Sequence, residues 1–259
     1  MVNARDSRAG GSASAAAQAA SFGVAAAEYE RGRPSYPAAV LDWLVPIDAA
    51  VALDVGAGTG KLTRELRRRG LEVVAVDPST GMLAELTRVL PEVPVAAAGA
   101  EGLPLRDRLA DVVLVAQAWH WVDPRRAVPE IARVLKPGGW LGLVWNVRDV
   151  REAWVARLGR ILNRAAEQDM NSAAPRVGPP FGPLQRRDFA WTSHLTLAGL
   201  LDLVASRSYV ITRLPDERAA ILAAVTDLVE RDPGLDPADI RLPYIARAAR
   251  TRLPPNWQP

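Results

Sequence analysis

Val51-Ala52-Leu53-Asp54-Val55-Gly56-Ala57-Gly58-Thr59-Gly60-Lys61 passes from a mostly apolar, β-type stretch into three alternating glycines and then into a helical pattern. That order is a strand, a tight turn and a helix start. Glycine at Gly56, Gly58 and Gly60 removes the Cβ that would keep a ligand from the backbone, and the first N–H groups of the following helix are left pointing at whatever sits there. A second apolar run, Val73-Val74-Ala75-Val76, ends in Asp77, about seventeen residues after the last glycine. An α/β nucleotide site places a carboxylate there, on ribose hydroxyls. Two strand ends therefore address one nucleoside, against the alternative that the glycines form a plain strand-to-helix connection.

The glycine spacing separates two kinds of ligand. A dinucleotide turn reads G-x-G-x-x-G, whereas this one reads G-x-G-x-G with Asp54 two residues ahead of it. In Leu53-Asp54-Val55-Gly56-Ala57-Gly58-Thr59-Gly60 the chain resembles the class I S-adenosylmethionine-dependent methyltransferases of the small-molecule, type 11-like kind. The resemblance implies a doubly wound α/β fold with a mostly parallel seven-stranded sheet and helical lid or cap elements. It also implies S-adenosyl-L-methionine as cofactor, and an acid at Asp54 suits the cationic amino group of its methionine moiety.

Further residues carry the same likeness. Phe22 to Pro37 reads as a short helix breaking into a proline-rich turn, and its "Y…RPxYP" pattern is similar to lids in which Tyr29 and Arg33 cover the methionine end and Tyr36 faces the acceptor. The alternative is that the tyrosines pack on the core and Arg33 is solvated. After Asp77, Pro78 opens a helix in which Met82 either lies against adenine, as the resemblance implies, or fills the core. Val95 to Leu105 carries an "A-E-x-L-P" segment, in which the resemblance gives Ala100 and Glu101 to the adenine edge. By the same likeness Ala57 and Thr59 belong to the cofactor turn.

The apolar run Ala110–Ala116 suits a strand covered on both faces, and it ends in Gln117-Ala118-Trp119-His120-Trp121. Ligands in such sheets collect outside the carboxyl ends of the strands. Gln117, Ala118 and Trp119 are therefore expected against the cofactor, and Trp119, His120, Trp121 and Trp145 against the acceptor. The ending differs from the Asn-Pro-Pro-Tyr of enzymes that methylate amide or adenine nitrogen. His120 is the one catalytic candidate, as a general base, since imidazole titrates near neutrality. A packing role for His120 and core roles for the tryptophans are the alternatives.

Composition sets the outer limits. At 259 residues the chain has room for one well-buried α/β domain with an insertion. It contains no cysteine, which excludes a disulfide framework, a thiolate zinc site and an iron–sulfur cluster, and with the last a radical use of S-adenosylmethionine. No metal site is expected. The net charge of +3, from 32 basic and 29 acidic residues, gives no nucleic-acid signal, and no run is long enough to span a bilayer. Residues 1–20 read as a disordered tail of a cytoplasmic protein, and the arginine- and alanine-rich composition suggests a bacterial source. A small-molecule methyl acceptor is the expected partner, with a monomer or homodimer as the expected assembly.

The remaining elements follow from apolar spacing. Helices are expected over Ala38–Leu44, Leu62–Arg69, Pro124–Leu135, Glu152–Met170, Thr196–Ser206 and Pro215–Glu230, with a helix-stopping turn at Lys136-Pro137-Gly138-Gly139. Strands are expected over Trp140–Asn146, Phe189–Leu195 and Ile240–Ala246. The family likeness places the last strand antiparallel between the fifth and sixth. Residues 21–259 form one expected domain, in which 22–37 is a lid and about 151–185 an insertion capping the strand ends. The rival to a methyltransferase with an oxygen, nitrogen or carbon acceptor is a non-catalytic S-adenosylmethionine-binding protein. An NAD-dependent oxidoreductase lacks its motif here.

Overall fold

The computed structural model describes residues 33–162 and 175–258. Among them seven strands form one sheet, in which the central strands β1 and β4 are apolar and covered on both sides while the edge strand β6 is polar and largely exposed. In chain order the elements are α1 Ala38–Leu44, β1 Val51–Val55, α2 Lys61–Arg68, β2 Glu72–Asp77, α3 Thr80–Val89, β3 Val95–Ala97 and β4 Ala110–Ala116. There follow α4 Pro124–Val134, β5 Leu135–Arg148, α5 Ala153–Ile161, β6 Gln185–Leu195, α6 Leu197–Ala205, α7 Ser208–Ile211, α8 Pro215–Arg231 and β7 Ile240–Arg252. The strand order is β3-β2-β1-β4-β5-β7-β6. The first five strands pair in parallel, and β7 lies antiparallel between β5 and β6.

Alternation along each strand divides the core. Leu53, Val55, Val113, Val115, Leu141 and Leu143 point to one face and meet Ala127, Val128 and Ile131 of α4. Ala52, Val112 and Leu114 point to the other and meet Leu41 and Leu44 of α1 and Leu62 and Leu66 of α2. A third cluster joins Trp154, Val155 and Leu158 of α5 to α6, α8 and the start of β7, including Tyr244. The parallel half of the sheet is pinned at its rear edge by Asp111, which accepts from the Ala50 and Val51 N–H groups at 3.0 and 2.9 Å and from Lys136 Nζ at 2.6 Å.

Two expectations change. The Lys136-Pro137-Gly138-Gly139 segment is not a separate turn: β5 begins at Leu135, which pairs with Ala110, and the irregularity is absorbed by a register shift between Ala110 and Val112. Residues 175–184 do not cap the cleft side of the strands. The Gly182 N–H donates to Arg252 O at 3.2 Å, Thr251 Oγ1 donates to Gly182 O at 2.7 Å, and Phe181 is buried in the first core cluster. Arg252 pairs with Trp140 at the opposite end of β5 from Asn146, so this segment closes the rear of the sheet. The described part of the expected 152–170 helix ends at Ile161, and the rest lies outside the described residues, as do Tyr29 and the 1–20 tail. Among the described residues no helix is long and apolar enough to cross a membrane, and no cluster of acidic or histidine side chains has metal-ligand spacing.

Candidate functional site

The carboxyl ends of β1, β4, β5 and the facing segment of β7 surround a cleft. Its walls come from Arg33, Pro34 and Tyr36, from Asp54 through Thr59 without Val55, from Lys61 and Leu62, and from Ala116, Gln117, Asn146, Arg207 and Tyr244. Of the residues expected in a site, the cleft brings together Arg33, Tyr36, Asp54, Gly56, Ala57, Gly58, Thr59 and Gln117.

The glycine turn is held against β2. The Gly56 and Ala57 N–H groups donate to Val76 O at 2.8 and 3.1 Å, and the Gly58 N–H donates to Asp77 Oδ2 at 2.9 Å. Gly56 (φ +72°) is required twice, because a Cβ there would stand 2.6 Å from the Ala118 Cβ. Gly58 (φ +54°) differs, since a Cβ there would meet nothing within 4 Å.

Asp54 is fully buried at the end of β1. Thr63 Oγ1 donates to its Oδ2 at 2.6 Å, while Oδ1 has no hydrogen-bond partner. Burial, opposed by the Thr63 hydroxyl and reinforced by the Asp77 charge, pushes this carboxyl up to about 7. Asp77, also buried, accepts from Gly58 N–H and, on Oδ1, from Ser79 N–H at 2.8 Å. Its pKa is raised by burial against the pull of those two donors.

At the end of β4, Gln117 takes a left-handed backbone conformation (φ +60°), which is costly for a residue with a Cβ and is commonest where a site dictates it. Its N–H donates to Val144 O at 2.8 Å and its Nε2 to Asn146 O at 3.3 Å, which fixes one wall. Asn146 Nδ2 donates to Ser35 O at 3.1 Å, and Ser35 Oγ donates to Glu65 Oε1 at 3.0 Å. The described end of the expected lid is thereby tied across the strand ends from β5 to α2, and Tyr36 packs on the second core cluster.

Other expected residues stand elsewhere. Gly60, at the N-terminus of α2, is packed beneath Leu86 and does not line the cleft. Pro78 is exposed, Met82 and Ala100 are buried, and none of the three lines the cleft. Glu101 ties the loop after β3 to the segment after β4, its Oε1 accepting from the Asp123 N–H at 2.8 Å. Trp119 and Trp145 are corrected to core residues: both belong to the first cluster, because Asn146 faces the cleft and period-two alternation turns Trp145 to the opposite face. Trp119 starts a 3₁₀ turn, Trp119–Trp121, that folds it inward and leaves Trp121 46% exposed. His120 stands beside Trp121 at a ring separation of 4.7 Å and outside the cleft lining. It is exposed, and the part of its ring covered by neighbouring residues pushes the imidazole down, to about 4.

The sequence reading missed Asn146, Arg207 and Tyr244. Asn146 was findable, as a polar residue closing an apolar strand like Asp54, Asp77 and Gln117 before it. Arg207 follows α6 and Tyr244 sits in β7, and neither carries a local pattern.

A model of the methyltransferase domain matches residues 53–143, the stretch from β1 into β5. The chain is 50% identical over 234 residues to an uncharacterised methyltransferase of Mycobacterium tuberculosis, covering 90% of this chain and 96% of that one. It is 34% identical over 240 residues to an uncharacterised methyltransferase-like protein of Schizosaccharomyces pombe, covering 88% and 94%. A solved structure from Anaeromyxobacter dehalogenans, described as a candidate type II methyltransferase, superposes with a TM-score of 0.69 at 28% identity, over 86% of this chain and 99% of that one. With the sheet order, the glycine turn and full-length relatives in agreement, the chain belongs to the methyltransferase family.

Proposed function

We propose that this protein transfers the methyl group of S-adenosyl-L-methionine to a small-molecule acceptor. The observation that carries the reading is Asp54: a buried carboxylate with one oxygen unpartnered, opening on the cleft beside the glycine turn. A buried acid of this kind is stabilised by a cation brought to it. A methionine ammonium supplies that cation, whereas a pyrophosphate would add like charge.

The residues present fit the cofactor. The backbone of Gly56 to Thr59 leaves room at Gly58 for close approach, Asp54 would hold the ammonium, and Arg33 would take the methionine carboxylate. Asp77 still has lone pairs for ribose hydroxyls after its two backbone contacts, and Met82, Ala100 and Glu101 lie on the adenine side in this reading. When bound, the cofactor offers a methyl group on a sulfonium, an electrophile for in-line displacement. The protein's share is to align the acceptor and keep water out, which is worth on the order of 7–11 kcal/mol. Gln117 and Asn146 shape the wall facing the glycine turn, and Tyr36 closes the cleft from the lid side. His120 stands outside the cleft lining, and partial burial pushes its imidazole down, so it is assigned no proton transfer.

Calorimetry with S-adenosylmethionine, S-adenosylhomocysteine and NAD tests this directly. Micromolar binding of the first two without the third is expected. Binding of NAD alone would overturn the reading. A radiolabelled methyl-transfer screen against acids, phenols and amines then identifies the acceptor.

A further inference from the structure

The end of the cleft away from the glycine turn gathers positive charge. Antiparallel pairing sets Arg148, the last residue of β5, opposite Tyr244 of β7. Arg207 reaches the same place from the junction of α6 and α7. It is only 9% exposed and lines the cleft with Tyr244 and Arg33. Arg148 is half-buried, and no carboxylate among the described residues hydrogen-bonds or ion-pairs with it. The groups that act on it are the guanidiniums of Arg207 and Arg33 and the phenols of Tyr244 and Tyr209. Burial first, and then Arg207, push its guanidinium down to about 10. The Tyr244 hydroxyl is buried and has no hydrogen-bond partner.

A guanidinium held partly away from water with no carboxylate beside it raises the free energy of the unliganded protein, and an anion placed against it lowers it again. A guanidinium grips one carboxylate through two parallel N–H donors, and a phenol adds a third. The cofactor brings a single carboxylate, which in the reading above belongs to Arg33. Arg148 and Tyr244 exceed that need.

We propose that Arg148, Arg207 and Tyr244 form an anion subsite that holds a carboxylate of the methyl acceptor, so that the substrate is an organic acid. The assignment rests on the methyltransferase reading for the word acceptor, but the subsite itself is a property of these three side chains. It is the specificity-determining end of the cleft, as the glycine turn is the cofactor end.

The test is calorimetry on the full chain, with and without saturating S-adenosylhomocysteine. The probes are succinate, glutarate, citrate and benzoate, with triethyl citrate as the neutral control. At least one acid binds, the neutral ester does not, and Arg148→Gln and Arg207→Gln each weaken the acid by about 10- to 100-fold while S-adenosylhomocysteine affinity changes less than about threefold. Arg148→Lys restores part of the loss, and Arg148→Gln does not lower the thermal midpoint, as loss of a structural arginine would. Should the Arg207 variant fail to fold, Tyr244→Phe serves instead, with a loss of about three- to tenfold in acid affinity. Equal acid binding by wild type and Arg148→Gln overturns the subsite. So does a wild type that binds S-adenosylhomocysteine but no acid of the panel. Acid binding without S-adenosylhomocysteine binding sustains the subsite and overturns the cofactor reading alone.

Discussion

Asp77 accepts the Gly58 N–H at 2.9 Å, so the last residue of β2 holds the turn that follows β1. The same carboxylate accepts from Ser79 N–H at the start of α3, so that each of its oxygens holds one backbone donor. An amide offers only one acceptor oxygen, and its NH₂ would face one of those donors. Asp77→Asn is therefore expected to cost about 1–3 kcal/mol of stability and to weaken S-adenosylmethionine at least tenfold. Urea unfolding and calorimetry measure both, and an unchanged midpoint would show that the turn stands without Asp77.

With Asp54 as the ammonium partner, cofactor binding is expected to depend on pH. With its carboxyl at about 7, the unliganded protein holds a proton there below neutrality, and a bound ammonium drives that proton off. Affinity for S-adenosylhomocysteine is expected to rise by up to tenfold per pH unit from about 5.5 to 7, then level off. Stability of the unliganded protein runs the other way: a carboxyl raised in the folded state contributes stability that is full below about 4 and is lost as pH rises through 7. Asp54→Asn should flatten both profiles and weaken binding by about 10- to 100-fold. A wild-type affinity that is level from pH 5.5 to 7.5 contradicts the assignment.

The first two glycines of the turn, Gly56 and Gly58, should fail differently. Gly56→Ala meets the Ala118 Cβ at 2.6 Å in a left-handed conformation, so the turn must move, at a cost of roughly 2–4 kcal/mol. Gly58→Ala meets no atom and carries only the conformational cost of about 1 kcal/mol, but its methyl group enters the cleft. The expected outcome is a destabilised Gly56→Ala protein and a stable Gly58→Ala protein with poor cofactor affinity. Thermal melts with and without S-adenosylhomocysteine separate them.

For His120, the imidazole held at about 4 is already neutral across the working range. Between pH 6 and 9 the kcat/KM profile should show no limb that His120→Asn removes, and turnover should fall less than tenfold. A limb near 6.5 present in wild type and absent in His120→Asn would restore it as the base.

The first half of the chain was legible because local patterns there coincide with the tertiary outcome. The limits of α1, β1 and β4 follow directly from apolar runs bounded by proline, glycine or polar residues, and Asp54 and Gln117 stand where a strand ends. The antiparallel position of β7 followed from family likeness, since strand order depends on long-range pairing that no short window contains. The tryptophans misled because size and position near strand ends do not say which face a residue takes. Trp145 and Asn146 are neighbours in sequence and opposed in space. Arg207 and Tyr244 were illegible for a related reason, being ordinary residues that become a site only when β7 pairs with β5.

That pairing also sets an order in time. β6 bonds to the sheet only through β7, yet β7 is made last, about forty residues after β6 leaves the ribosome. Until then the β5 edge is bare and Arg148 has no Tyr244 across from it. A nascent chain that has completed its glycine turn thus lacks the Arg148–Tyr244 pair, and the two sides of the cleft are assembled at different times.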